Sequence, residues 1–345
     1  MTSLIRGVAP WAVALLTLAL LVVGCSSVDP EIATDLSSTA STTAASTAGA
    51  GQPDTDQLTT VPQTHATSTT ELSTTAPPTT AAPWDAPLPI DASSLAQDLT
   101  TTERAIRDPE VGLEPARNWG ERLQRLYRVL SANRDWADQT VANVGDDVRP
   151  DVELNWAARQ DLSSLVNSTT LSSNLPAWRL RDPLPVEELI GYYEEAEDIT
   201  GVPWEILASI NLIETRMGRI EGTSTAGAVG PMQFLPSTWT ECCAGDPALD
   251  RDAIIGAATY LVQRGAATDI DRALFGYNNS DRYVRAVRSY AEVIERDRLA
   301  YRGYHAFQVY FLSSAGLILM PSGYEEFEPV DVDSWLADHP EALID

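Results

Sequence analysis

Apolar residues recur at three- and four-residue spacing through much of the chain beyond residue 119. Between Gly120 and Val141, Leu123, Leu126, Tyr127, Leu130 and Trp136 fall on one helical face. Asp151 to Val166 repeats the pattern with Val152, Leu154, Leu162 and Leu165, after Pro150 at a first-turn position. The two segments predict an antiparallel helical hairpin. Two prolines in Leu180 to Pro185 then punctuate the chain. Val186 to Ile199 and Pro203 to Gly218 read as consecutive helices parted at Thr200-Gly201; Asp252 to Arg264, Arg272 to Phe275 and Ser280 to Arg296 add further helices. Gly227, Gly230, Pro231 and Pro236 break any long helix between Thr223 and Trp239. His305 to Leu319 mixes aromatic and branched residues around Gly316, which predicts two short strands.

The beginning of the chain follows other rules. Gly7 to Gly24 is uncharged and mostly apolar after a single positive charge at Arg6, and it ends directly at Cys25. This pattern predicts an export signal over 1–24. Val22, Val23 and Gly24 before the cysteine resemble the bacterial lipoprotein pattern, which implies lipid on Cys25 and anchoring at the outer face of the cell membrane. An uncleaved membrane span is the alternative, since the uncharged run is just long enough. Either way, everything after Asp29 lies outside the membrane and is held near it. Ser26 to Pro83 is a Ser/Thr/Ala/Pro-rich stretch with too little apolar surface to order itself. As a flexible coil it spans roughly 40–45 Å. The expected organisation is therefore signal 1–24, lipidated cysteine and linker 25–83, helical accessory region 84–180, catalytic domain 181–299 and extension 300–345. The accessory region is either a packed structural extension or a surface for a cell-wall protein partner.

Charge excludes one class of partner. The chain carries 49 Asp and Glu against 23 Lys and Arg, a formal net charge of −26. A protein that tracks phosphates needs a basic face, and no local basic run supplies one. Nucleic-acid binding is ruled out. His65, His305 and His339 have no partners at metal-ligand spacing, so neither a metal nor another cofactor is called for. Cys242 and Cys243 are adjacent in an oxidising compartment, either as a small strained ring or as two thiols.

Glu214 is the candidate for chemistry. On the helix from Pro203 its neighbours on the same face are Leu207, Ile210 and Met217, with Ile213 alongside. A carboxyl on an apolar stripe is desolvated, which raises its pKa towards the range of a general acid. A solvated or arginine-paired Glu is the alternative, with Arg216 and Arg219 close in sequence.

The stretch IETRMGRIEGTSTAGAVGPMQFLPSTW (213–239), followed by ALFGYNNSDRYVRAV (273–287), resembles the lytic murein transglycosylases, bacterial enzymes that cleave the glycan of peptidoglycan. The likeness covers about residues 184–297 and looks most like the membrane-bound B group. It implies a mainly α, lysozyme-like catalytic domain preceded by the helical hairpin. It also implies that Glu214 protonates the β-1,4 glycosidic oxygen between N-acetylmuramic acid and N-acetylglucosamine. The same carboxylate would then take the proton of the muramyl C6 hydroxyl, which closes on C1 as a 1,6-anhydro end. By the same resemblance Ser224 hydrogen-bonds the catalytic Glu, Gln233 the sugar, and Tyr277 and Asn278 hold the N-acetyl group. Met232 and Phe234 offer apolar surface to the sugar or belong to the core. Thr215 departs from the Ser of the soluble group. Glu221 and Glu241 flank the glycine-rich turn and leave a lysozyme-like hydrolase open, as does a weakly active wall-binding scaffold lipoprotein.

Overall fold

A computed structural model describes residues 83–165 and 171–344. The export signal, Cys25 and the linker up to residue 82 lie outside the described residues, as does Val166 at the end of the second hairpin segment.

The chain enters through Trp84, which packs edge-on against Trp119 with ring centroids 5.8 Å apart. Asp91 caps α1 (Ala92–Arg107) by accepting from the Ser94 amide, while the Ser94 hydroxyl returns to the Asp91 backbone. α2 (Leu113–Ala132) carries the predicted apolar face but ends at Asn133, and a 3-10 turn at Arg134–Trp136 leads into α3 (Ala137–Asn143). The periodicity ran across this break because Trp136 also packs against the core. α4 (Arg149–Ser163) starts with Pro150 in its first turn. The two segments read as a hairpin are α2 and α4, yet each pairs mainly elsewhere: α2 against α1, and α4 against a helix of the second half. Periodicity specifies that a face is buried and leaves the partner open.

Two short strands, β1 (Asn174–Leu175) and β2 (Arg179–Leu180), precede α5 (Val186–Thr200), which stops at Gly201 in the left-handed region. α6 (Trp204–Thr215) follows, with every residue buried except Glu205. It is therefore a central helix apolar nearly all round. Full burial of Leu207 and Ile210 contributes about 1.5–3 kcal/mol each. β3 (Ile220–Glu221) pairs antiparallel with β2. α7 (Pro236–Cys242), α8 (Asp250–Gln263), α9 (Ile270–Tyr277) and α10 (Asp281–Arg296) continue the helical set, and Ser280 caps α10 through the Tyr283 amide. Cys242 and Cys243 are joined as a vicinal disulfide.

α11 (Ala300–His305) leads to β4 (Val309–Ser313) and β5 (Gly316–Met320), the predicted pair of strands turning at Gly316. After β6 (Val330–Asp331) and α12 (Val332–Asp338), β7 (Leu343–Ile344) adds a third strand beside β5, while β6 pairs with β1. The fold is mainly helical with a few short strands.

One hydrophobic core runs from Leu95 to Phe307, across residues 180 and 299 where the sequence pattern changes. α10 lies between α4 and α6, α5 lies on α8, and α11 on α2. A smaller core around Trp178, Ile318, Met320 and Trp335 joins the strands to α12. The apolar faces of α1, α2 and α4 are buried within the large core.

Candidate functional site

The C-terminus of α6 is an abrupt corner. Arg216 and Met217 take φ of 56° and 61°, and Gln233, in the loop facing this corner, has φ of 51°. These are the three non-glycine residues with positive φ among the described residues, and such conformations cost on the order of 1–3 kcal/mol each. Thr215 ties corner to loop: its hydroxyl donates to the Pro231 carbonyl at 2.6 Å and accepts from the Gly218 amide at 3.1 Å.

Glu214 sits just before the corner with 7% of its surface exposed. Its Oε1 accepts from the Tyr283 hydroxyl at 2.8 Å, and Oε2 has no hydrogen-bond partner among the described residues. Burial drives the Glu214 carboxyl up to about 8, against smaller opposing effects of the Tyr283 hydrogen bond and the Arg216 charge. The apolar surroundings read from the helix face are present. They come from all sides of α6 and from Met217 beyond its end, which is fully buried. The guanidinium of Arg216 turns back onto the carbonyls of Leu212 and Ile213 and forms no ion pair with Glu214.

Tyr277 lies parallel to Tyr283 with ring centroids 6.4 Å apart and 4° between planes. Its hydroxyl donates to the Met232 carbonyl at 2.6 Å. Glu214, Tyr283, Tyr277 and the 230–233 turn thus form one continuous wall. The turn is closed by reciprocal backbone hydrogen bonds between Val229 and Phe234 of 2.8 and 2.9 Å. Gly230, with φ of 77°, is required there: a Cβ would stand 1.8 Å from the Pro247 carbonyl oxygen. The Gln233 side-chain amide donates to the Gly230 carbonyl at 2.9 Å, and its Oε1 accepts no hydrogen bond among the described residues.

Met232 and Phe234 take the core alternative, and Ser224 differs from its expected partner. Met232 is fully buried, and its sulfur accepts from the Asn211 amide at 3.3 Å, so its side chain offers no surface to a sugar; its carbonyl holds Tyr277 instead. Phe234 is likewise core, packed edge-on against Trp239, Tyr260 and Tyr277. Ser224 makes no hydrogen bond to Glu214; its hydroxyl accepts from the amides of Ala226 and Ala228 and fixes its own turn. Asn278 follows α9, is 8% exposed, and its side chain makes no hydrogen bond among the described residues.

Tyr283 is the residue of the site to which the sequence pattern assigns no role. Its place one turn into α10, behind a Ser cap, gives no hint that its hydroxyl reaches a helix sixty-nine positions earlier. Of the two carboxylates considered as partners for Glu214, one is engaged by arginines and the other is exposed to solvent. Glu221 pairs with Arg179 at 3.1 Å and Arg181 at 2.8 Å, and Glu241 is exposed on α7. Among the described residues no cluster of three or more His, Cys, Asp or Glu could hold a metal ion.

No family model matches the chain, and no solved structure matches it. A curated protein that does match is the membrane-bound lytic murein transglycosylase F of Thiobacillus denitrificans, 28% identical over 129 residues. The match covers 35% of this chain and 27% of that protein, so the chain spans about a quarter of the relative's length. The chain is thus a mainly helical protein with distant similarity to a lytic murein transglycosylase. No helix among the described residues is long and apolar enough to cross a membrane.

Proposed function

We propose that the protein cleaves the glycan strands of peptidoglycan as a lytic transglycosylase, with Glu214 as the single acid and base. One observation carries this reading: a buried, neutral carboxyl held by one tyrosine, with no second carboxylate acting on it among the described residues. A hydrolase of the usual two-carboxylate kind needs a partner to activate water or to attack the sugar. A transglycosylase does not, because the muramyl C6 hydroxyl is already positioned and supplies the nucleophile at high effective concentration.

The proposed reaction has two steps. Glu214 gives its proton to the oxygen between N-acetylmuramic acid and N-acetylglucosamine as the C1–O bond breaks, and the N-acetylglucosamine side leaves as an alcohol. The Glu214 carboxylate then takes the proton of the C6 hydroxyl while O6 bonds to C1, which restores the acid. Tyr283 steadies the carboxylate between the two steps, and its hydrogen bond strengthens as charge develops. The unengaged Oε1 of Gln233 and the Asn278 amide are the polar groups proposed to hold the substrate. Ser224 shapes the turn beside them. Export and lipid attachment at Cys25 are part of the same proposal, supported by the apolar segment before that cysteine and by the substrate's location outside the cell membrane.

Digestion of purified peptidoglycan with the full chain, followed by mass spectrometry, tests the reading. Anhydromuramyl ends are expected. Reducing ends, heavier by one water, would make the protein a hydrolase, and no release at all would make it a wall-binding scaffold. In Glu214→Gln the rate is expected to fall by at least about 10³-fold with glycan binding retained; near-normal turnover in that variant removes Glu214 from the chemistry.

A further inference from the structure

Roughly 10 Å along α10 from Tyr283, two turns on, Tyr290 faces a small cavity. This cavity of about 20 Å³ is lined by Gln124 of α2, Arg159 and Leu162 of α4, Leu212 and Arg216 at the end of α6, Tyr290 and Phe307. It has room for one water-sized or monatomic guest. Its wall carries positive charge without compensation. Arg159 is 6% exposed; its Nε donates to the Ser131 hydroxyl, and Nη2 is buried with no partner. Arg216 is also buried and spends Nη1 on backbone carbonyls. Arg128, whose charge also bears on Arg159, has both terminal nitrogens buried and unpartnered, with its guanidinium 3.7 Å from the Tyr310 ring centroid.

Neither Arg159, Arg128 nor Arg216 forms an ion pair among the described residues, in a chain whose formal net charge is −26. The nearest candidate counter-charge, Glu214, stays protonated at neutral pH and is taken by Tyr283. Gln124 has its amide occupied by the backbone of Gln308, so it cannot neutralise the site. A guanidinium does not shed its proton to escape burial. An unpaired buried charge costs several kcal/mol unless an ion of opposite sign accompanies it.

We propose that this cavity is a binding site for a monovalent, halide-sized inorganic anion, held by the guanidiniums of Arg159 and Arg216 and the phenol of Tyr290. The anion bridges the α2–α4 half of the molecule to the α6–α10 half and offsets one of the unpaired positive charges of the shared core. It is separate from the proposed glycan site, and its test does not depend on activity.

Chloride is the probe, and gluconate, too large for the cavity, is the control at equal ionic strength. The full chain is expected to melt roughly 3–6 °C higher in chloride than in gluconate once chloride reaches ten times its dissociation constant. Broadening of the chloride-35 resonance should saturate over the same range. Both effects should vanish in Arg159→Met, which keeps the packing of the stem and removes the charge. Should that variant fail to fold, Tyr290→Phe decides, with an expected weakening of chloride binding of about tenfold. Equal melting in the two salts, no saturable broadening, or a chloride response unchanged in the folded variant would overturn the proposal.

Discussion

At the residue scale the proposed chemistry rests on the environment of one carboxyl. Burial lifts Glu214 from its ordinary value of 4.5 to about 8, and the consequence for stability has a definite sign. Below pH 4.5 the group is protonated in folded and unfolded chains alike and contributes nothing to pH dependence. Between 4.5 and 8 the folded chain holds a proton that the unfolded chain has lost, so stability falls as pH rises, by about 1.4 kcal/mol per pH unit. Glu214→Gln removes this cost, so the variant should be more stable than the native chain at pH 8, by on the order of 3–5 kcal/mol. Urea denaturation at pH 4 and pH 8 checks it: a difference between the two proteins that does not grow with pH contradicts the buried neutral acid. Tyr283 acts in the opposite direction, since its hydrogen bond favours the carboxylate. Tyr283→Phe should therefore move the alkaline limb of the pH–rate profile upward, by up to about one unit. A limb that stays in place would mean that the hydroxyl does not govern the titration.

At the element scale, the site exists because a helix stops where its residues would otherwise continue. Leu207, Ile210 and Ile213 give α6 every reason to extend, and Arg216 and Met217 must enter the left-handed region to end it. Such strain persists only where surroundings over-determine it. Here the Thr215 hydroxyl, the Met217 sulfur accepting from Tyr193 and Tyr301, and the 230–233 turn supply that constraint. Gly230 is the tightest point of the turn. Gly230→Ala should cost about 2–4 kcal/mol, because both the positive φ and the Pro247 carbonyl oppose a side chain. The same change should lower activity by displacing Gln233 and the carbonyl that anchors Tyr277. Thermal melting and glycan release measured on one preparation test both parts, and a loss below 1 kcal/mol would show that the turn gives way easily. The spacing of Gly227, Gly230, Pro231 and Pro236 announced an irregular segment. It did not announce that Met232 and Phe234 turn inward: an apolar residue beside a polar one in a loop has no period from which its direction can be read.

At the scale of the whole molecule, a buried polar network fastens the first helices to the last ones. Glu103 of α1, 1% exposed, accepts from the Tyr127 hydroxyl at 3.0 Å and the Asn155 amide at 3.1 Å and pairs with Arg107. Asn155 in turn accepts from Tyr304 of α11, and Asp151 of α4 pairs with Arg107 at 3.3 Å and Arg296 of α10 at 2.7 Å. Breaking such a network by removing one partner leaves a buried charge without its counterpart. Glu103→Ala should destabilise the whole molecule by about 3–5 kcal/mol, and unfolding followed by tyrosine and tryptophan signals should remain one transition. Separate transitions would mean that residues 84–180 and the remainder fold independently, as the change in sequence pattern near residue 180 suggests on its own.

Features that depend on neighbours a few positions away were legible in the amino-acid order alone. Helix starts at Pro150 and Ser280, the stop at Gly201, the hairpin turn at Gly316 and the apolar setting of Glu214 all follow from local sterics, capping and periodicity. Which faces meet is settled only in the folded chain: α4 on α10 in place of α2, Tyr283 on Glu214, and three buried arginines that form no ion pair among the described residues. Side-chain periodicity says that a surface must be buried, since water rejects it. The identity of the covering surface is a property of how the helices cross, and residues far apart in the chain share no local pattern that could announce it.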